Sequence, residues 1–154
     1  KDENDSLHPA AANFIAGILY RIKDITAFLN PVEESYNRLG SFEAPGYISW
    51  SKQNRSQLIR IPSSYGDNFR FELRSPDPMC NQYIALSLLL KAGLEGIKDK
   101  RELPKPCNID FSIDKPDASI ERLPQTLNEA KIIAAKSTFI AQELPAKITA
   151  AILS

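Results

Sequence analysis

Residues 69–74 read Phe-Arg-Phe-Glu-Leu-Arg, a strict alternation that puts Phe69, Phe71 and Leu73 on one strand face and Arg70, Glu72 and Arg74 on the other. Side chains two apart on a strand stand about 6.6–6.8 Å from each other, so one face offers a carboxylate flanked by two guanidinium groups. Mixed charge on a strand is often no more than a solvated face. The neighbourhood argues for more. Between Asn30 and Pro78 there are five arginines (Arg38, Arg55, Arg60, Arg70, Arg74) and one lysine, Lys52, whereas elsewhere lysine outnumbers arginine ten to three. Arginine's planar fork grips carboxylates and phosphates at two points and keeps its charge when partly buried. Arg60 also lies between Ile59 and Ile61, which places its stem beside expected core. Such a cluster calls for an anionic ligand, and a single Glu72 within it fits a donor to a hard cation such as Mg²⁺, the usual companion of phosphates. Residue types and spacing thus point to an anion site, phosphate with metal.

The elements that must hold these groups are legible from periodicity. Phe14, Ile15, Ile18, Leu19, Ile22, Ile25 and Leu29 recur at helical spacing and predict an amphipathic helix over residues 7–30. Ser6 or His8 is placed to cap it, Pro9 suits its first turn, and Asn30-Pro31 ends it. Residues 31–78 change character. Proline, glycine, serine and asparagine punctuate short strand-like runs at 47–50, 58–61 and 69–74. A second helix is expected from about Asn81 to Lys98, with Leu86, Leu89, Leu90, Leu94 and Ile97 as its apolar stripe. A connection containing Pro104, Pro106 and Pro116 leads to a helix near residues 127–143 and a short one after Pro145. The expected fold class is α+β: a small, mainly antiparallel sheet with packed helices.

Bulk composition sets outer bounds. A chain of 154 residues, 43% hydrophobic and 25% charged, is suited to one domain with a buried core. Lys plus Arg and Asp plus Glu both total 19, so net charge gives no reason to expect nucleic acid or a membrane surface as partner. No apolar run approaches the roughly 20 residues of a membrane span. Cys80 and Cys107, without metal-ligand spacing around them, read as reduced thiols of a cytoplasmic protein. The chain opens on Lys1 rather than Met, and the expectation is that it is cut from something longer.

At the arginine-bearing residues the chain closely resembles class I glutamine synthetases. Six ordered blocks carry the likeness: Asn30-Pro31 with Ser35-Tyr36-Asn37-Arg38-Leu39, Glu43-Ala44-Pro45, Asn54-Arg55-Ser56, Ile59-Arg60-Ile61-Pro62, Arg70-Phe71-Glu72-Leu73-Arg74 and Pro76-Asp77-Pro78. Ala92-Gly93-Leu94 and Gly96-Ile97-Lys98 in the following helix are similar as well. The resemblance implies that residues 1–154 are the C-terminal part of a catalytic domain. In it 7–30 is a helix, 31–78 holds the substrate and nucleotide strands with a flap, and 79–154 is a helical C-terminal region. It implies ATP-dependent ligation of ammonia to the γ-carboxylate of L-glutamate through γ-glutamyl phosphate, with ATP and Mg²⁺ or Mn²⁺ as cofactors. Arg38 and Arg74 match the arginines that hold glutamate carboxylates. Glu43 matches the flap glutamate that binds and deprotonates ammonium. Arg55 matches the arginine that stabilises the phosphoryl group in transit, Arg60 and Arg70 match nucleotide-phosphate contacts, and Glu72 matches a metal ligand. The implied partners are the remainder of the chain and neighbouring subunits, a homo-dodecamer in the family.

Departures from the family pattern bear on function. The loop from Arg38 to Glu43 is one residue shorter than in many relatives, so the flap is expected to be reshaped. Residues 63–67 hold no basic side chain, where some members place one against the nucleotide. Residues 108–114 contain no tyrosine, and Phe111 cannot be adenylylated, so that regulation is expected to be absent. His8 lacks the motif of the family's metal histidine and reads as a helix-end or surface residue. The apolar run 148–153 fits either an assembly tail or a helix packed on its own subunit. Because the family's other metal glutamates lie upstream and its sites form between subunits, the chain alone is expected to be inactive, with apolar surface exposed where the rest of the domain packs. A ligase using another amine and a non-catalytic module that binds nucleotide or a partner are the alternatives.

Overall fold

Helix α1 (Pro9–Leu29) contributes more buried residues than any other element. The computed structural model describes residues 7–41, 44–63, 69–111, 113–114 and 118–154. His8 caps α1, its Nδ1 accepting from the amide of Ala10 at 3.2 Å, and Pro9 occupies the first turn. The helix stops at Asn30, whose N–H still donates to Thr26 O at 2.8 Å before Pro31 breaks the register. The expected stripe is buried, from Ile15 through Ile18, Leu19, Ile22 and Ile25 to Leu29. Burial goes further than the stripe: Ala16, Gly17, Thr26, Ala27 and Phe28 are also enclosed, so the helix runs through the core. Thr26 is accommodated there because its hydroxyl donates to Ile22 O at 2.6 Å.

A short helix α2 (Glu33–Arg38) leads to strands β1 (Trp50–Lys52), β2 (Ile59–Ile61) and β3 (Glu72–Leu73). They lie in the order β1-β2-β3. The α+β class holds, but the sheet is mixed. Strands β1 and β2 are parallel, with Trp50 opposite Ile59, while β2 and β3 are antiparallel, with Ile59 opposite Leu73 and Arg60 opposite Glu72. Strands of three residues need a return of only about 10 Å, which the loop 53–58 spans without a crossover helix. The run 69–74, expected as one strand, pairs only at Glu72 and Leu73.

Helix α3 (Gln82–Lys98) is capped by Asn81, whose Oδ1 accepts from the amides of Tyr83 and Ile84 at 3.1 and 3.3 Å. Its orientation corrects the expected stripe. The buried residues are Ala85, Leu88, Ala92, Gly93 and Gly96, whereas Leu86, Leu90 and Leu94 are 60%, 55% and 58% exposed. Of the expected set, Leu89 is half-buried against the core and Ile97 is exposed. The reason is the closeness of α1. A Cβ on Gly96 would stand 2.2 Å from Asn13 O, one on Gly17 2.2 Å from Ala92 O, and one on Gly93 2.3 Å from the Phe14 ring. Backbones this close admit only small residues, and the leucines are turned outward.

The chain closes with α4 (Leu127–Lys136), α5 (Thr138–Glu143) and α6 (Ala146–Leu153). The helix expected near 127–143 is divided at Ser137. Its N–H donates to Ala134 O at 3.1 Å to end α4, and its hydroxyl accepts from Ile140 N at 3.3 Å to begin α5. Thr126 starts α4 by accepting from Glu129 N at 3.1 Å, while Glu129 accepts from Gln125 N at 2.8 Å. Helix α6 rests on α4 and α5 of the same chain, with Ile152 and Leu153 half-buried against the core. No helix among the described residues is long and apolar enough to cross a membrane.

Candidate active site

Antiparallel register brings Arg60 and Glu72 face to face. Arg60 Nη1 donates to Glu72 Oε2 at 3.0 Å and its Nε donates to Gln53 O at 3.0 Å. Arg70 Nε stands 3.6 Å from the other oxygen, Oε1, with its side chain 56% exposed. Glu72 is therefore flanked by two guanidinium groups, Arg70 from its own run as expected and Arg60 from across the sheet. Arg74 sits where β3 leaves the sheet, its N–H donating to Leu58 O at 3.0 Å.

Arg55 projects, exposed, from the loop between β1 and β2. Its neighbours hold the turn. Asn54 Oδ1 accepts from the amide and the hydroxyl of Ser56, both at 2.9 Å, the local bonding that makes asparagine a turn residue. Asn54 Nδ2 donates to Ile109 O at 3.0 Å, fully buried Gln57 donates to the same carbonyl at 2.7 Å, and Phe111 N donates to Ser56 Oγ at 3.1 Å. The segment 109–111 is thus the buttress of the Arg55 turn. Sequence reasoning missed it, and the one available signal was the Asn-x-Ser pattern, which predicts a turn but not what supports it.

Arg38 ends α2 and is anchored at the end of α1. Its Nη2 donates to Asn30 Oδ1 at 3.1 Å and to Ser75 O at 2.6 Å, and its Nε lies 3.8 Å from Asp77 Oδ2. Glu43 lies outside the described residues. The base of its loop is formed by Gly40, at φ +84°, whose amide donates to Ala44 O at 2.9 Å. Gly46 crosses it so closely that a Cβ there would meet Gly40 Cα at 2.9 Å. Between this base and the Arg55 turn is a cavity of about 330 Å³, lined by Gly40, Ala44, Pro45, Gly46, Tyr47, Ser56 and Phe111. A larger cavity of about 470 Å³ beside Trp50, Lys23 and Glu121 holds none of the expected site residues.

Metal chemistry finds an incomplete donor set. Among the described residues no group of three His, Cys, Asp or Glu side chains is placed to hold an ion. Glu72 offers one carboxylate already faced by two arginines, so these residues do not form a metal centre by themselves.

Comparison with known proteins gives the family of this chain. A family model described as "Glutamine synthetase, catalytic domain" matches residues 1–154. A glutamine synthetase of Methanosarcina mazei is 47% identical over 134 residues, which are 84% of this chain and 30% of that protein. One of Clostridium saccharobutylicum is 44% identical over 138 residues, 84% of this chain and 31% of that protein. Two solved structures, described as "GmaS/ADP complex-Conformation 1" and "Apo GmaS without ligand", superpose with TM-scores of 0.82 and 0.83 at 30% and 31% identity. They cover 99% of this chain, which spans 36% and 34% of theirs. The chain belongs to the glutamine synthetase family, as a segment of that family's catalytic domain.

Proposed function

We propose that this chain supplies the arginine-rich part of an active site that ligates ammonia to the γ-carboxylate of L-glutamate at the expense of ATP. The observation that carries the reading is the meeting of Arg60 and Arg70 at Glu72, with Arg74 beside β3, Arg55 on the turn between β1 and β2, and Arg38 at the end of α2, in a chain of this family. In the proposed reaction the γ-carboxylate oxygen attacks the terminal phosphorus of ATP, ADP leaves, and γ-glutamyl phosphate forms. The nitrogen of ammonia then attacks the acyl carbon, phosphate leaves, and the proton lost from nitrogen passes to a base.

Each residue has a role that its chemistry supports. Arg38 and Arg74 hold carboxylates of glutamate. Arg55, exposed on a braced turn, neutralises charge that develops on the phosphoryl group in transit. Arg60 and Arg70 meet nucleotide phosphates; the use of a nucleotide is supported by a relative described as an ADP complex. Glu43, which lies between Gly40 and Gly46 in sequence, attracts ammonium and accepts its proton, and closure of the flap excludes water from the acyl phosphate. A divalent cation, Mg²⁺ or Mn²⁺, would screen the phosphates. Glu72 would be one of its donors, the others coming from outside this chain. The proposed assembly joins this segment to the rest of the domain and to neighbouring subunits, in the cytoplasm.

The test uses the full-length protein that carries this segment and measures ADP and glutamine formed from ATP, L-glutamate and ammonium. Arg55→Ala is expected to lower kcat by about 10²–10³-fold, the usual effect of removing a group aimed at transition-state charge. Preference for a primary alkylamine over ammonium would replace this reading with that of an amine ligase. Nucleotide binding without ADP formation would leave a non-catalytic module.

A further inference from the structure

Arg38 is held on one side only. Both hydrogens of its Nη2 are directed into the protein, to Asn30 Oδ1 at 3.1 Å and to Ser75 O at 2.6 Å, and Asp77 Oδ2 faces Nε at 3.8 Å. Nη1 has no acceptor among the described residues. A guanidinium is planar and rigid, so clamping Nη2 sets the direction of the opposite edge. The clamp is built from the core outward. Asn30 is 0% exposed, and its backbone is tied to α1 through Thr26 O. Asp77 N donates to Leu29 O at 2.9 Å, which fastens the Ser75 carbonyl to the same helix end. Asn30 Nδ2 is buried and has no hydrogen-bond partner. An amide so enclosed costs stability, and an apolar residue of similar size would cost less there. Its Oδ1 is the atom with a purpose.

We infer that Asn30 is a positioning residue for substrate carboxylate recognition, acting through Arg38. Its Oδ1 and the Ser75 carbonyl lock the guanidinium so that Nη1 points at the carboxylate before glutamate arrives. The ordering of a long, charged side chain is thereby completed in the free protein, and its entropy does not weaken glutamate binding. The inference rests on the reading that Arg38 holds a glutamate carboxylate.

Steady-state kinetics of the full-length protein, with glutamate and ATP varied separately, tests it through Asn30→Ala, Asn30→Asp, Arg38→Ala and the double variant. Asn30→Ala is expected to raise the KM for glutamate about tenfold or more while kcat and the KM for ATP stay within about threefold, the pattern of lost ground-state binding. Asn30→Asp keeps an acceptor in the same place and is expected to restore most of the glutamate KM. In the Arg38→Ala background, Asn30→Ala is expected to add nothing further. An equal rise in both KM values with a fall in kcat, or additive effects in the double variant, would show a merely structural asparagine and overturn the inference. If Asn30→Ala does not fold, Asn30→Asp decides alone: a glutamate KM raised as far as in Arg38→Ala refutes the inference. A glutamate KM unchanged by Arg38→Ala defeats the underlying reading and this inference with it, whereas a raised one together with an unaffected Asn30→Ala defeats this inference only.

Discussion

Guanidinium groups do two different jobs in this chain, and their partners distinguish them. Arg21 is structural. Its Nε and Nη2 meet both oxygens of Glu95 at 2.7 and 2.6 Å, its Nη1 reaches Asp24 at 3.2 Å, and its Cζ lies 5.0 Å from the Phe139 ring centre. The bidentate bond holds the Glu95 carboxyl below the usual carboxylate range and raises Arg21 above its own. Glu95→Gln is expected to cost about 1.5–3 kcal/mol at neutral pH, as for other hydrogen bonds to charged groups. Because the folded pKa of Glu95 is the depressed one, this contribution is complete above the unfolded value of about 4.3 and is lost as pH falls through the folded value. Urea unfolding should therefore show a gap between wild type and Glu95→Gln that is widest above about pH 5 and closes in stronger acid. Arg60 and Arg70, by contrast, share one partly exposed carboxylate, Glu72. Pairs of that kind contribute only about 0–1 kcal/mol, so Glu72→Gln should barely move the unfolding midpoint. A large loss of stability on Glu72→Gln would mark this pair as structural and count against its place in the site.

Between α1 and α3 the contact is made by what is missing from the side chains. Gly17 and Gly96 let the helices approach until backbone meets backbone, and Gly93 makes room for the Phe14 ring. In an exposed helix, exchanging glycine for alanine gains about 1 kcal/mol in propensity. Here the added methyl of Gly96→Ala would sit 2.2 Å from Asn13 O and 2.7 Å from Gly17 Cα, both backbone atoms that cannot step aside. A net loss of about 1–3 kcal/mol is expected by thermal or chemical unfolding, the range typical of overpacking. Leu94→Lys, two residues earlier on the exposed face, should change stability by less than about 0.5 kcal/mol. If the two substitutions proved equally mild, the close helix contact described for α3 would be wrong. The same contact matters to the site, because α1 ends in the Asn30 clamp and α3 holds α1 in place.

For the molecule as a whole, the unusual feature is an apolar stripe left exposed among the described residues. Tyr83, Leu86, Leu90, Leu94 and Ile97 follow one another along the outer face of α3, all exposed. Surface apolar residues are ordinary when scattered, but a continuous row on one helix is an association surface. The 154-residue chain alone should associate in a concentration-dependent way in sedimentation velocity. Leu90→Glu with Leu94→Lys should suppress this without lowering the unfolding free energy. A chain that stays monomeric at every concentration, with or without the pair, would remove the reason to expect a covering partner there. The stripe accords with a chain that spans only 30–31% of the curated relatives it matches.

Several features needed nothing but the sequence. The periodicity of α1 named most of its core, Ile15, Ile18, Leu19, Ile22, Ile25 and Leu29, because apolar residues at helical spacing share the face that packs inward. The concentration of arginine between Asn30 and Pro78 is the basis of the proposed anion site, and the ordered motifs identified the family that the comparisons then showed. Tertiary structure decided the rest. On α3 periodicity pointed to the leucine face, but the close approach of α1 favoured size over hydrophobicity and buried the glycines and alanines. Arg60 became the close partner of Glu72 because strand register is set by pairing across the sheet. The carbonyl of Ile109 that braces the Arg55 turn, and the Ser75 carbonyl that clamps Arg38, are backbone atoms reached across 52–55 and 37 positions of chain. A carbonyl is present in every residue whatever its type, so no letter of the sequence could mark these two; only the folding of distant segments against each other selects them.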